Sequence, residues 1–340
     1  MSGLTTKYLL CCDWGTSFFR LRLTNLYDHQ CTGELISREG IAGTFDAWRK
    51  TGAATGMSRD NFFRRQLKKQ INALGRQLAM NLINTPVVIS GMASSSIGME
   101  EVPYAVLPFA LDGSQSSIRH FDPQPDFPHE LMLISGVRSG QDVMRGEETQ
   151  LIGLVTLLTL SGEKNREAIF VFPGTHSKHM YVRDGQLISF DTYMTGELFD
   201  LMAHHSILKD SVDLSDLTDF SAPNVLAFRQ GVQQATASGI LNGLFTTRTN
   251  QLFDTFTKAE NAFYLSGLLI GTELLPLLAE KGWPLVLCSG SKLTGFYELA
   301  IRELNLADRA TTIPADLIDQ AASRGQAMLF RNQTLKEITR

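Results

Sequence analysis

The sequence is short of the features that would take it out of the ordinary globular class. Its four cysteines, Cys11, Cys12, Cys31 and Cys288, form no C-x-x-C pair, and a bridge between the adjacent Cys11 and Cys12 would be strained. The thiols therefore read as reduced, which argues for an intracellular, cytoplasmic protein. Positive charge is not in excess: 31 Lys+Arg stand against 35 Asp+Glu, a net charge of −4. No basic stripe stands out, so the cationic face that a phosphate backbone demands is missing and nucleic acid is excluded as a partner. Long hydrophobic runs are also missing. Leu151 to Leu160 is too short, and Ala262 to Ala279 is interrupted by Glu273 and Pro276, against the roughly 20 apolar residues of a membrane span. The run Tyr8 to Cys12 falls below the roughly 7–15 apolar residues of a signal peptide. Secretion and a membrane partner are thus not expected, and both apolar segments read as buried helices. Finally, the chain has no G-x-G-x-x-G, no P-loop and no G-x-S-x-G elbow, which removes direct support for a dinucleotide fold, a P-loop NTPase or an α/β-hydrolase.

What is present has the length of about two domains and an α/β rhythm. Tyr8 to Cys12 is a short strand, Asp13-Trp14-Gly15-Thr16-Ser17 a tight turn, and Phe18 to Thr24 a returning strand in which Phe19, Leu21 and Leu23 alternate with Arg20, Arg22 and Thr24. That period of two predicts a half-buried strand. Residues Asp60 to Leu82 carry apolar side chains at three- and four-residue spacing, the mark of an amphipathic helix. The basic run Arg64 to Lys69 within it reads as a solvated face. A buried strand at Pro86 to Ile89 leads to the loop Ser90 to Gly98, and another at Leu131 to Ile134 leads through Ser135 to Gly140 into a helix expected over Gln141 to Leu160. The opening pattern then returns: strand Ile169 to Phe172, turn Pro173 to Lys178, strand His179 to Val182. Two such hairpins near half a chain length apart suggest a duplication into similar halves. Helices are expected over Glu197 to Leu208 and Leu226 to Arg248, then a small-residue-rich helix around Phe263 to Gly271 suited to close helix contact. A last strand, Pro284 to Cys288, breaks at Ser289-Gly290-Ser291 and enters a helix, an arrangement that suits an anion or nucleotide.

Hairpin turns rich in Gly, Thr and Ser, an acid that initiates a helix, and a strand–Gly–helix turn are the parts of phosphoryl transfer: donors around phosphates, a metal, and a base for the acceptor hydroxyl. Gly15, Thr16 and Ser17 would offer donors from one hairpin, and Gly174, Thr175, His176 and Ser177 from the other, with Lys178 adding a point charge. Asp13 would hold magnesium through water. Asp142, read as the first or second residue of its helix, would stay ionised at the positive end of the helix dipole. It is a candidate base and equally a plain helix-terminal carboxylate. Arg145, three residues on, would share its face.

The strings Asp13-Trp14-Gly15-Thr16-Ser17, Asp142-Val143-Met144-Arg145-Gly146-Glu147-Glu148, Pro173-Gly174-Thr175-His176-Ser177-Lys178 and Thr195-Gly196-Glu197-Leu198 closely resemble those of the 2-dehydro-3-deoxygalactonokinases, sugar-acid kinases of the actin/hexokinase superfamily. The likeness extends through Tyr264 to Gly271 and the Gly290 turn. It implies two ribonuclease-H-like domains, residues 1–140 and 141–340, with ATP, magnesium and sugar acid in a cleft between them. The phosphates would lie between the Gly15 and Gly174 turns, the adenosine against Ser289, Gly290 and Ser291, and Asp142 would be the base. Where the family usually has a Gly-Ser-Arg-type loop, this chain has Gly91-Met92-Ala93-Ser94-Ser95-Ser96. A serine run lacks the bidentate charge of an arginine. Gly91, Met92, Ser94 and Ser95 are the substrate candidates there, with Arg138 and Arg145 for a carboxylate and Glu197 for a hydroxyl; Arg138, Arg145 and Glu197 read equally well as structural. A homo-oligomer is compatible with the chain.

Three other readings remain. Zinc at His176 and His179 is awkward, because H-x-x-H on a strand points the two rings to opposite faces. A serine hydrolase built on Ser177, His176 and Asp142 lacks its elbow. A sugar- or ATP-binding sensor of the same fold would not need the set Asp13, Asp142 and Gly174. A kinase for another sugar acid, such as 2-dehydro-3-deoxygluconate, also stays open. His204-His205, Trp14 and the Cys11-Cys12 pair read as packing residues.

Overall fold

The computed structural model describes residues 6–160 and 167–338. They form two compact units: Met1–Lys164 with Gly185–Ile188 and Asp316–Arg340, and Asn165–Asp184 with Ser189–Ala315. The expected boundary at 140/141 therefore moves, and the C-terminal helix joins the first unit. The physical reason is packing: the segment after residue 140 forms a helix whose buried face is covered from within the first unit, as described below.

The first unit is built on strands β1 (Tyr8–Trp14), β2 (Phe19–Asn25), β3 (Cys31–Ser37), β4 (Val87–Gly91) and β5 (Leu131–Ile134), in the order β3-β2-β1-β4-β5, with Ile118–Phe121 added at the β5 edge. β1 and β2 are antiparallel, with Asp13 opposite Arg20, while β4 runs parallel to β1 and sets Asp13 beside Ser90. Helix α1 (Arg59–Leu78) lays Phe63, Leu67, Ile71 and Leu74 on this sheet against Leu10, Trp14, Phe19 and Ile89. Trp14 is a core anchor, 1% exposed, in edge contact with Phe19. Two expectations change here. Arg22 and Thr24, read as outward-facing, are buried, because Arg22 is held by Glu34 and by Asp319 of the C-terminal helix. Arg64, read as part of a solvated face, is also buried, its guanidinium 4.8 Å from the Phe121 ring.

Helix α2 begins at Glu147 and ends at Leu160, so the helix expected from Gln141 starts later. Residues Val143–Met144 instead pair as a short strand with Val137–Arg138, and Gly146, at φ +110°, turns the chain into the helix. Few residues other than glycine tolerate that backbone.

The second unit repeats the plan with β6 (Glu167–Phe172), β7 (Ser177–Arg183), β8 (Gln186–Tyr193, in this unit from Ser189 on), β9 (Leu285–Leu287) and β10 (Ala310–Thr312), ordered β8-β7-β6-β9-β10. β6 is antiparallel to β7 and parallel to β9, which is parallel to β10, the same order and sense as in the first unit. The duplication suggested by the two hairpins is thus present at the level of whole sheets. Around this sheet lie α3 (Thr195–His205), α4 (Ala222–Ser238), α5 (Lys258–Leu274) and α6 (Ser291–Glu303). The expected helix Leu226 to Arg248 is two helices, separated at Gly239 with φ +75°. α5 meets the expectation of close helix contact: a Cβ on Gly231 of α4 would lie 2.1 Å from the Tyr264 carbonyl oxygen, and one on Gly267 2.0 Å from that of Phe228. Lys258–Leu278 is the candidate membrane span by length and apolarity among the described residues, and 72% of its apolar window is buried. It forms the core of the second unit, as read from its interruptions.

Candidate functional site

In the first unit the strand ends bring Asp13 and the loop after β4 together. Gly91, at φ +91°, leaves no room for a side chain: a Cβ there would lie 2.9 Å from the Trp14 carbonyl oxygen and 3.3 Å from Asp13 Oδ1. Gly146 stacks on it, since its own Cβ would lie 3.4 Å from Gly91 Cα. Asp13, Gly91 and the start of α2 therefore form one cluster. Burial pushes the Asp13 carboxyl up, against the opposing pull of Arg20 and Arg22. Gly15 donates its N–H to the Phe18 carbonyl at 2.9 Å, and its carbonyl accepts from Ile41, so its backbone closes the turn. Thr16 and Ser17 are exposed at the tip.

Asp142 lies on the turn between the Val137–Arg138 and Val143–Met144 strands and not on a helix, half-buried. Its N–H donates to Ser139 Oγ at 2.8 Å, and its Oδ1 accepts from the Val143 N–H at 2.7 Å. The helix dipole accordingly does not act on it, and Arg145 does not share a helix face with it. Arg145 instead grips the serine loop. Its Nη1 donates to the Ser94 carbonyl at 2.6 Å, to Ser94 Oγ at 2.7 Å and to Ser135 Oγ at 3.1 Å, and its guanidinium stacks 3.9 Å from the Tyr104 ring. Arg59 reaches the same loop, donating to the Ser96 carbonyl at 2.6 Å. Met92 is half-buried, Ser95 is buried with its Oγ donating to the Met92 carbonyl, and Arg138 is exposed.

Sequence reasoning passed over Glu148. It is 2% exposed; Oε2 accepts from the Gly146 N–H at 2.7 Å and Oε1 from the Thr149 hydroxyl at 2.8 Å. Burial, and then the charge of Glu147, push its carboxyl up to about 7. Such a value would suit a general base, but geometry decides first: both oxygens are engaged and covered. Its work is to hold the Gly146 turn.

In the second unit the hairpin between β6 and β7 is tied to three helices through buried hydroxyls. The Gly174 N–H donates to Ser177 Oγ at 3.3 Å, Ser177 Oγ lies 3.1 Å from the Tyr297 hydroxyl, and Tyr297 donates to Glu273 Oε2 at 2.7 Å. Thr195, opening α3, donates to the same oxygen at 2.5 Å, and His179 Nε2 lies 3.1 Å from Glu273 Oε1. Ser177, His179, Tyr297 and Glu273 are all at most 2% exposed. Gly196 packs on the turn, its Cβ position 2.5 Å from the Gly174 carbonyl oxygen. Thr175 and His176 are exposed, and His176 Nε2 meets Glu197 Oε2 at 2.5 Å. Glu197, a candidate for a substrate hydroxyl, thus touches the turn. Lys178, expected to face phosphates, is buried and donates to Thr192 at 2.5 Å. Ser289 is buried, while Gly290 and Ser291 are exposed at the start of α6. Beside the turn lies a cavity walled by Phe199, Leu217, Leu269, Ile270, Leu293 and Phe296, with Gly174, Thr195, Gly196, Ser266 and Tyr297 completing it. Tyr297 and Glu273 join the missed residues. Only their meeting in space marks them.

Among the described residues no group of three or more His, Cys, Asp or Glu could hold a metal, and His179 is buried on Glu273 while His176 is exposed. Zinc at that pair is not supported. A single carboxylate at Asp13 is compatible with magnesium, which keeps most of its water.

Comparison with known proteins agrees with the motifs. Residues 13–328 match the family model described as 2-keto-3-deoxy-galactonokinase. The protein named Probable 2-dehydro-3-deoxygalactonokinase DgoK1 from Rhizobium meliloti (strain 1021) is 33% identical over 82% of this chain and 83% of its own. The 2-dehydro-3-deoxygalactonokinase of Escherichia coli (strain K12) is 30% identical over 73% and 80%. A crystal structure from Sinorhizobium meliloti, provisionally assigned as a 2-dehydro-3-deoxygalactonokinase, superposes with a TM-score of 0.74 at 29% identity, covering 96% of each chain. With two sheets of one shared order, this is the actin/hexokinase type of α/β fold, and the chain belongs to the 2-keto-3-deoxy-galactonokinase family of sugar kinases.

Proposed function

We propose that the protein transfers the γ-phosphoryl group of ATP to the terminal hydroxyl of 2-dehydro-3-deoxygalactonate, giving the 6-phosphate and ADP in the cytoplasm, within galactonate catabolism. The observation that carries this reading is the family match from Asp13 to residue 328. ATP occupies the second unit: its base enters the cavity beside Tyr297, its ribose meets Gly290 and Ser291 next to the buried Ser289, and its phosphates meet Thr175 and His176 on the turn that Gly174 and the buried Ser177 hold in shape. Magnesium, when bound, neutralises phosphate charge, and Asp13 is the residue that would hold it, through water. From the first unit, Thr16 and Ser17 supply further hydroxyls to the phosphates.

The sugar acid lies on the loop that begins at Gly91, against the half-buried Met92, with the buried Ser94 and Ser95 and the grip of Arg145 shaping that loop and Arg138 the exposed cation for the carboxylate. Asp142 takes the proton from the terminal hydroxyl as its oxygen bonds to phosphorus and the bond to ADP breaks. Exclusion of water keeps the sugar as the acceptor. The test is ADP release with ATP and magnesium against 2-dehydro-3-deoxygalactonate, its gluconate epimer and neutral sugars. Turnover is expected on the galactonate compound, and Asp142→Asn should lower kcat by about 10²–10⁴ with ATP affinity kept. Full turnover in that variant would remove Asp142 as base, and turnover confined to another acid would move the substrate assignment.

A further inference from the structure

We propose that the donor pocket of the second unit does not read the edge of the nucleotide base, so that the kinase accepts GTP and ITP as well as ATP; this rests on the placing of the donor in that unit. Three polar side chains line the cavity: Thr195, Ser266 and Tyr297. Tyr297 donates its hydroxyl proton to Glu273 and is met on its other side by Ser177. Thr195 donates its proton to Glu273 as well. Glu273 is 2% exposed and accepts from both on Oε2, with His179 Nε2 3.1 Å from Oε1, so neither hydroxyl can turn its proton to a base without leaving a buried carboxyl oxygen short of a donor. That loss is costly in a dry interior.

Outside Thr195 and Gly196, which open α3 at the phosphate turn, the lining N–H groups of the two helices and of the Gly174 turn are already taken. Ser266, Leu269 and Ile270 lie within α5, and Phe296 and Tyr297 within α6, where helix bonding takes their N–H groups. The Leu293 N–H donates to the Gly290 carbonyl at 3.0 Å, and the Gly174 N–H to Ser177. What meets the base is apolar: Phe199, Leu217, Leu269, Ile270 and Phe296, with Ser266 as the one lining hydroxyl outside the Glu273 network. An apolar pocket separates similar ligands by at most about 10²-fold, whereas a site built to hydrogen-bond a polar group rejects its absence by about 10⁴–10⁵-fold. Glu273 thereby has a second consequence. By holding Thr195, Tyr297 and, through Ser177, the Gly174 turn, it fixes the phosphate site while leaving the base site unselective.

The test measures kcat/KM for MgATP, MgGTP and MgITP with saturating sugar acid. Values for GTP and ITP within about 100-fold of ATP are expected; a drop beyond that for either overturns the proposal. Leu293→Glu, a partly exposed wall position, places a negative charge beside an anionic ligand and separates the two layers of the argument. It should raise KM for every nucleotide by at least about tenfold, with KM for the sugar acid unchanged. Unchanged nucleotide KM values in that variant would remove the donor from this cavity and the proposal with it. A raised KM combined with rejection of GTP and ITP would keep the cavity as donor site and overturn the lack of base selectivity alone.

Discussion

Two side chains of the first unit carry effects out of proportion to their size. Glu148 is protonated in the folded chain up to about pH 7, whereas an unfolded chain ionises it near 4.5. Between those values the folded state binds more protons, so this group's contribution makes stability fall as pH rises from about 4.5 to 7, and level off above. The cost of ionising it in place is on the order of 3 kcal/mol. Glu148→Gln keeps an acceptor for the Gly146 N–H and removes the charge. Its melting temperature should gain on the parent from pH 5 to pH 8, and parallel curves would show that the carboxyl titrates normally. Arg145 works by geometry. Arg145→Ala takes the guanidinium donor from the Ser94 carbonyl and from the Ser94 and Ser135 hydroxyls, which keep their own bonds to the Gly91 and Val102 carbonyls, and removes the Tyr104 stack. A loss of about 2 kcal/mol in urea unfolding is expected, with a raised KM for the sugar acid and an unchanged KM for ATP. Arg145→Lys should recover little, because an ammonium cannot reproduce the planar fork.

At the scale of elements, the turn that delivers α2 is the most exposed to change. Gly146→Ala would hold an alanine at φ +110°, its Cβ in contact with Gly91 at 3.4 Å, and backbone strain of this kind costs about 1–3 kcal/mol. Because Arg145 and Asp142 lie just before it, kcat should fall more than stability does; a variant with normal kcat would detach this turn from the reaction. The same place shows what sequence patterns reveal. Strands β1, β2, β6 and β9 and the amphipathic α1 are legible because their periodicity is local. The close α4–α5 contact is legible because Gly231, Gly267 and Gly271 leave room for it. The start of α2 is not, since a glycine at positive φ reads like any other glycine, and Val143–Met144 reads as helix until Val137–Arg138 is there to pair with it. The site is legible in the same uneven way. The Gly, Thr and Ser turns are contiguous strings, but Glu273 gains its role only from residues 177, 179, 195 and 297 meeting around it. Lys178 follows the motif in sequence yet lies buried against Thr192, because its place on β7 points it inward.

For the molecule as a whole, the chain's path matters more than its halves. After completing the second sheet at β10 it returns to the first unit as α7 (Ala315–Ile338), and a boundary drawn at 140/141 misses this because nothing local in the sequence announces a return. The return is load-carrying in a chemical sense. Gln326 of α7, 1% exposed, donates to the Cys12 carbonyl at 2.7 Å and to Ser90 Oγ at 2.8 Å, gripping β1 and β4 one residue before Asp13 and Gly91. α7 comes this close because it crosses α2 backbone to backbone: a Cβ on Gly153 would lie 1.8 Å from the Ala321 carbonyl oxygen, and one on Gly325 2.0 Å from that of Thr149. Gly325→Leu must push the helices apart, so a loss of about 3 kcal/mol is expected. Gln326 would withdraw from the strand ends with it, so kcat should fall even in the fraction that stays folded. Gly43→Ala makes the matched control, since Gly43 sits in the helix Ile41–Ala47 with open space around its Cβ position. It should be neutral or stabilise by up to about 1 kcal/mol. Denaturant titration of both variants beside single-turnover rates decides the matter: a Gly325→Leu protein with parental stability and parental rate would mean that α7 merely covers the sheet and does not set the position of Asp13.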